Sequence, residues 1–313
     1  MGLFSRVLGI LRGRDGVRAA KLVATGVSNA REGRLEDALR LYRRATRADH
    51  TYALAHLNVG LALQDLYNRV CAQLDDEQRQ QRLEEIAVSL DEARLLDESL
   101  APAYSAHGYV MQALGRDVDT VADFERFLEL AAEDDKLRDG VQRDLAQAQE
   151  RVEQQQRRER AVRLVRDDST GDEELAEACT DLEHAISLAD RDAELWWALG
   201  VGCRRTGNTA RAVEAFVFVT ELDPEGADAH RELSSIAFKA RQLDLALQHA
   251  RRAYEIDPTN AGVVCNLGVC HMELGDLEHA REFIELAHEL DAEDPIIEDC
   301  LRELERAVAR VPS

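Results

Sequence analysis

Between Leu195 and Asp291 the same residues return every 34 positions. Trp196, His230 and Val264 are equivalent, and so are Leu199, Leu233 and Leu267. Gly200, Ser234 and Gly268 follow one residue later, and Gly207, Arg241 and Gly275 come at the next break in the apolar pattern. Ala212, Ala246 and Ala280 open a second apolar stripe, which continues through Phe216, Ala250 and Ile284. Asp223-Pro224 and Asp257-Pro258 close two of the units, and Asp291-Ala292 closes the third. A unit this short cannot bury its own apolar face, so a chain with this period must stack its copies.

Each unit reads as two helices. A glycine inside a helix costs about 1 kcal/mol relative to alanine, so Gly200 and Gly268 need a reason to be there. Close approach of two antiparallel helices supplies it, because a larger side chain would hold them apart. The small alanines serve the same contact from the other side. Gly207 marks the turn between the helices, and proline after aspartate stops the second helix.

The stretch "WWALGVGCRRTGNTARAVEAFVFVTELDP" resembles the tetratricopeptide repeat, in order and spacing. The resemblance implies an all-α, right-handed helix-turn-helix solenoid. Residues 19–52 look like an earlier copy, with Gly26, Gly33, Ala38, Tyr42 and Ala45. Residues 101–134 look like another, with Tyr104, Gly108, Gly115 and Phe124. Between them, "YALAHLNVGLAL" and "LEEIAVSLDEARLLD" are the two helices of a copy lengthened by an insertion. Residues 159–192 form a degenerate copy whose first helix lacks the glycine.

Two arrays are therefore expected. The first covers 19–134 with three repeats, and the second covers 159–294 with one degenerate and three good repeats. Residues 135–158 form a charged linker helix with a thin stripe of Leu137, Val141, Leu145, Ala148 and Val152. Residues 295–313 form a capping helix.

Composition narrows the function. The formal net charge is −22, which repels phosphate, so nucleic acid is not an expected partner. Lysine occurs only at Lys21, Lys136 and Lys239, an arginine bias typical of a bacterial chain from a GC-rich genome. The six cysteines form no C-x-x-C pair and fit a reducing cytosol. No phosphate loop, nucleophile elbow or H-E-x-x-H spacing is present, so no enzyme activity, cofactor or metal is expected.

In the family, the first helices line a concave groove. Its positions here are Trp197, Val201, Arg204, Arg231, Ser235, Phe238, Cys265, Val269 and Met272 in the second array. In the first array they are Val23, Val27, Leu54, Leu57, Leu61, Ser105 and Tyr109. Apolar grooves of this kind suit an amphipathic helix or an extended peptide. The family's carboxylate clamp is not expected, because Val23 and Trp197 stand where its first lysine belongs.

Residues 1–18 are a separate basic segment. Leu3, Phe4, Val7, Leu8, Ile10 and Leu11 fall on one side of a helix, with Arg6 and Arg12 opposite. In an acidic protein, that combination reads as an interfacial anchor for an anionic membrane or as a helix packed on the first repeat. The expected role is a cytoplasmic, non-catalytic scaffold or adaptor, peripheral at the inner face of the membrane, with a single-client chaperone as the alternative.

Overall fold

The computed structural model describes residues 2–310, with side chains from Asp15 onward. Among the described residues there are fifteen α-helices and no strand. The chain divides into two compact units, residues 1–153 and 154–313.

In the first unit, α1 (Gly2–Arg31) pairs with α2 (Leu35–Ala48). Likewise α3 (Ala53–Val70) pairs with α4 (Asp76–Leu96), and α5 (Ala101–Ala113) with α6 (Asp117–Leu130). The boundary falls inside α7 (Arg138–Arg166), whose residues before it belong to the first unit. The insertion appears as length, since α3 has 18 residues and α4 has 21, against 13 and 14 in α5 and α6. A single 3-10 turn, Cys71–Gln73, joins these two long helices, and a capping box between Asp75 and Gln78 starts α4.

In the second unit, α8 (Asp172–Leu188) follows the last part of α7. The pairs α9 (Ala193–Arg205) with α10 (Thr209–Leu222), α11 (Ala227–Lys239) with α12 (Leu243–Ile256), and α13 (Ala261–Glu273) with α14 (Leu277–Leu290) come next. Helix α15 (Pro295–Ala309) packs on α13 and α14 and buries Ile297 and Leu304. Within each unit a helix packs mainly on its neighbours in the chain, as a solenoid requires.

The helix ends follow local chemistry. Asn208 accepts from the Arg211 N–H at the start of α10, and Asp276 accepts from the His279 N–H at the start of α14. The turns between paired helices place Gly33, Gly115, Gly207 and Gly275 in the left-handed region. Arg241 takes the same conformation at the equivalent turn, with φ 61°, although a side chain is disfavoured there.

The glycines inside helices sit where the partner helix comes closest. A Cβ on Gly200 would lie 2.9 Å from Phe216, and one on Gly108 would lie 2.6 Å from Phe124. Both phenylalanines are fully buried. Gly202 faces the other way, toward Cys179 and Val165 of the preceding helices. Thus the two glycines of α9 open two contacts, one within the pair and one to α7 and α8 of the same unit.

The expected linker and the degenerate first helix form one helix, α7. Its Val141, Leu145 and Ala148 are buried, and Val141 and Leu145 join the cluster of Tyr104, Phe124 and Phe127. Ala161, Val162 and Val165 join the core of the second unit with Leu175, Ala178 and Leu182. Leu137 stays about half exposed.

Candidate protein-binding grooves

In the second unit the first helices α9, α11 and α13 carry the expected groove positions. Trp197, Val201, Arg231, Ser235, Phe238, Val269 and Met272 are half-buried, and Arg204 is exposed. The two arginines converge on one carboxylate. Arg231 Nη2 lies 2.9 Å from Glu232 Oε1, and Arg204 Nε lies 3.6 Å from Glu232 Oε2. Glu232 is only 14% exposed, so its charge takes up part of the positive potential that an acidic ligand would meet.

Trp196 and Trp197 do not divide into one core ring and one groove ring. Trp196 stacks on Phe218 of α10 at 4.5 Å, while Arg211 lies 5.6 Å from its ring centre. Its Nε1–H donates to the Asp190 carbonyl at 2.6 Å. Trp197 stands edge-on to the buried Phe216, with ring centres 5.5 Å apart. Each tryptophan is held by an aromatic side chain of α10, and each keeps part of its ring in solvent.

Cys265 does not face the groove. It is buried beneath α15 with Ile297, and its thiol hydrogen-bonds that of Cys300. That bond and burial push the Cys265 thiol up. Val269 packs on the same cluster, and Met272 packs on the next one, which includes Leu304 of α15. The capping helix thus narrows the apolar groove toward Trp197, Val201 and Phe238. Cys203 and Cys179 form a second thiol pair, between α9 and α8, and there too the bond and burial raise the Cys203 thiol.

In the first unit, Val27 and Tyr109 are half-buried, while Leu54 and Leu61 are 40% and 38% exposed. Leu57 is a correction: it is 5% exposed and belongs to the core, not to an open groove. Val23 and Ser105 are buried as well. The reason is that α3 packs on both α1 and α5, so first-helix positions between neighbours close over. The Tyr109 hydroxyl donates to Asp144 Oδ2 of α7 at 3.1 Å, and its ring stands edge-on to Phe124. Asn58 turns its amide onto the Leu54 carbonyl of its own helix at 2.6 Å.

Other structural features of the units were not foreseen from sequence. The insertion opens an apolar cavity of about 300 Å³ lined by Leu39, Leu63, Leu66, Tyr67, Leu74 and Ile86. A buried dyad joins His107 Nδ1 to Asp123 Oδ2 at 2.5 Å, with Arg94 3.8 Å from the same carboxylate. His107 also lines a polar cleft of about 380 Å³ with Asp91, Arg94 and Arg116. A buried pair brings His230 Nδ1 to 2.7 Å from His249 Nδ1, while His230 Nε2 faces the Pro224 carbonyl at 3.1 Å. His230 therefore donates from Nε2 and accepts at Nδ1, and His249 supplies the shared proton. Burial, with a smaller contribution from the nearby His230, lowers the His249 pKa to about 4. The residues of each pair lie 16 and 19 positions apart, on facing helices, and only the period of the repeat could have brought them together.

Paired antiparallel helices, most pairs closed on a glycine of the first helix and stacked in chain order, define a helical-repeat solenoid. Models of the tetratricopeptide repeat match residues 204–261 and 237–303. Residues 204–303 thus match the tetratricopeptide repeat, and the rest of the chain resembles it in fold. Solved structures with a similar fold include a tetratricopeptide repeat protein from Parabacteroides merdae, 13% identical, covering 93% of this chain and 100% of that one, with a TM-score of 0.38. The TPR domain of P58(IPK) is 14% identical over 93% of this chain and 98% of its own, with a TM-score of 0.37. YrrB, described as a TPR protein with an unusual peptide-binding site, is 16% identical over 83% of this chain and 97% of its own, with a TM-score of 0.34. Among the described residues, no helix is long and apolar enough to cross a membrane. The segment holding Leu3, Phe4, Arg6, Val7, Leu8, Leu11 and Arg12 lies outside the residues whose side chains are described.

Proposed function

We propose that the protein is a non-catalytic scaffold that receives a peptide or helical segment of another protein on its first-helix faces. The observation that carries this is the half-buried pair of rings on adjacent first helices, Trp197 on α9 and Phe238 on α11. Large aromatic side chains left partly in solvent, beside an exposed Arg204, are the composition of a binding hot spot. The test is affinity purification from the native host with wild-type protein and with Trp197→Ala/Phe238→Ala. Loss of a reproducible partner, with helical circular dichroism retained, supports the groove. An unchanged partner set refutes it. Several partners in stable stoichiometry fit a scaffold, whereas one client released on assembly fits a chaperone.

The basic N-terminal segment supports a second element of this reading, reversible attachment to an anionic membrane surface at its cytoplasmic side. Six apolar side chains on one helical side contribute several kcal/mol at most, at about 1–2 each, which suits peripheral binding. Flotation of full-length protein and of a form lacking residues 1–14 with anionic vesicles tests it. Equal flotation removes the anchor.

A further inference from the structure

We propose that His271, Asp276 and His279 form a binding site for a zinc-class divalent ion. The three come from the end of α13, the turn, and the first turn of α14, with a spacing of H-x4-D-x2-H that matches no standard zinc signature. The turn folds them onto one point. Gly275 in the left-handed region reverses the chain, and the Asp276 N–H donates to the His271 carbonyl at 3.0 Å. His271 Nδ1 then lies 3.1 Å, and His279 Nδ1 2.7 Å, from the same Asp276 Oδ2. One ligand atom from each residue lies within 4.8 Å of the others.

The site is held before any ion arrives. His271 is buried, with its ring stacked on Phe283 at 5.7 Å. Asp276 Oδ1 accepts the His279 N–H at 3.3 Å, which orients the carboxylate. The open side is His279, whose side chain is 55% exposed. Capping α14 does not account for the two imidazoles. Asn208 caps α10 at the equivalent position, where Cys203 and Arg211 replace the histidines. In the repeat between, Ala237, Gln242 and Leu245 stand in the three places.

Two imidazoles and one carboxylate select zinc, cobalt, nickel or copper over magnesium or calcium, which prefer all-oxygen shells. Ligand atoms about 2.1 Å from a tetrahedral centre are about 3.4 Å apart, so the two imidazole–carboxylate distances each open by less than about 1 Å to admit the ion. Each neutral imidazole moves its one proton from Nδ1 to Nε2 and turns its Nδ1 lone pair to the metal. Water fills the remaining position, on the exposed side.

The test uses chelator-stripped full-length protein titrated with zinc chloride by calorimetry, with magnesium chloride as the control. One zinc per chain, and none of the magnesium, is the expected result. His279→Gln and Asp276→Asn should each weaken binding at least about tenfold, with helical circular dichroism retained in His279→Gln. Cys179→Ser/Cys300→Ser should bind as wild type, which separates the trio from the thiol pairs. Cobalt should give d–d bands without a thiolate charge-transfer band. Absence of zinc binding, equal binding by His279→Gln, or loss only in the cysteine variant would overturn the site.

Discussion

The two units build the same contact from differently spaced sequence. In the second, Gly200 meets Phe216 and Gly268 meets Ile284, two periods apart. In the first, Gly26 meets Tyr42, Gly60 meets Leu90 and Gly108 meets Phe124, so the packing is alike. Its middle repeat is stretched, however, whereas the repeat models match residues 204–303 of the second unit. The contact tolerates change in helix length because it involves only the middle of each helix. Extra turns added at the far ends of α3 and α4 leave Gly60 against Leu90 and create the apolar cavity beside Tyr67.

If the units share one contact, removing its aromatic partner should cost them alike. Phe124→Ala and Phe216→Ala should each destabilise by about 3–5 kcal/mol, since both rings are fully buried. Chemical denaturation measures this, and a gap of more than about 2 kcal/mol between the variants would break the equivalence. Filling the contact separates the units more finely. Gly108→Ala meets Phe124 at 2.6 Å and the Asp123 Cβ at 3.2 Å, whereas Gly200→Ala meets only the tip of Phe216 at 2.9 Å. Overpacking of about 1–3 kcal/mol, offset by about 1 kcal/mol of helix propensity, should leave Gly108→Ala clearly the less stable variant.

Acid should also tell the units apart. Buried His107 of the first unit faces a carboxylate, whereas buried His249 of the second faces another histidine. The His249 pKa falls from 6.5 to about 4 on folding, so between these values the unfolded chain binds a proton that the folded chain refuses. Stability from this group is present above pH 6.5 and is lost as pH falls toward 4, by about 1–3 kcal/mol. Acidification also relieves the repulsion of a net charge of −22, with the opposite sign. Thermal melts of wild type and His249→Gln across that range isolate the histidine, and parallel curves would exclude it. The smallest effect is at the turns. Arg241→Gly should stabilise by about 0.5 kcal/mol, because it removes left-handed strain that the glycine turns do not carry. A loss of stability would mean that the Arg241–Glu273 ion pair matters more than the backbone.

Much of the fold was legible because period and small residues are one-dimensional signals. Gly200 and Gly268 announced close helix pairs, and the structure places Phe216 and Ile284 against them. Less of the candidate site was legible, because exposure depends on what packs across a face. Leu57 and Cys265 hold groove positions in the repeat, but neighbouring helices and α15 cover them. The same holds for Trp197, whose ring reaches Phe216 as well as solvent. The pairing of His271 with His279 carried no sequence signal, because a helix break separates them and only the left-handed turn at Gly275 brings them together.

Packing between chain neighbours also governs how the molecule comes apart. Almost every tertiary contact within a unit closes a short loop, so folding can begin at any hairpin and spread outward at little entropic cost. The outermost hairpin of a stack has a neighbour on one side only. Amide exchange should therefore be graded along the stack, fastest where a helix lacks a second neighbour and slowest around Leu199 and Leu233, which are fully buried with neighbours on both sides.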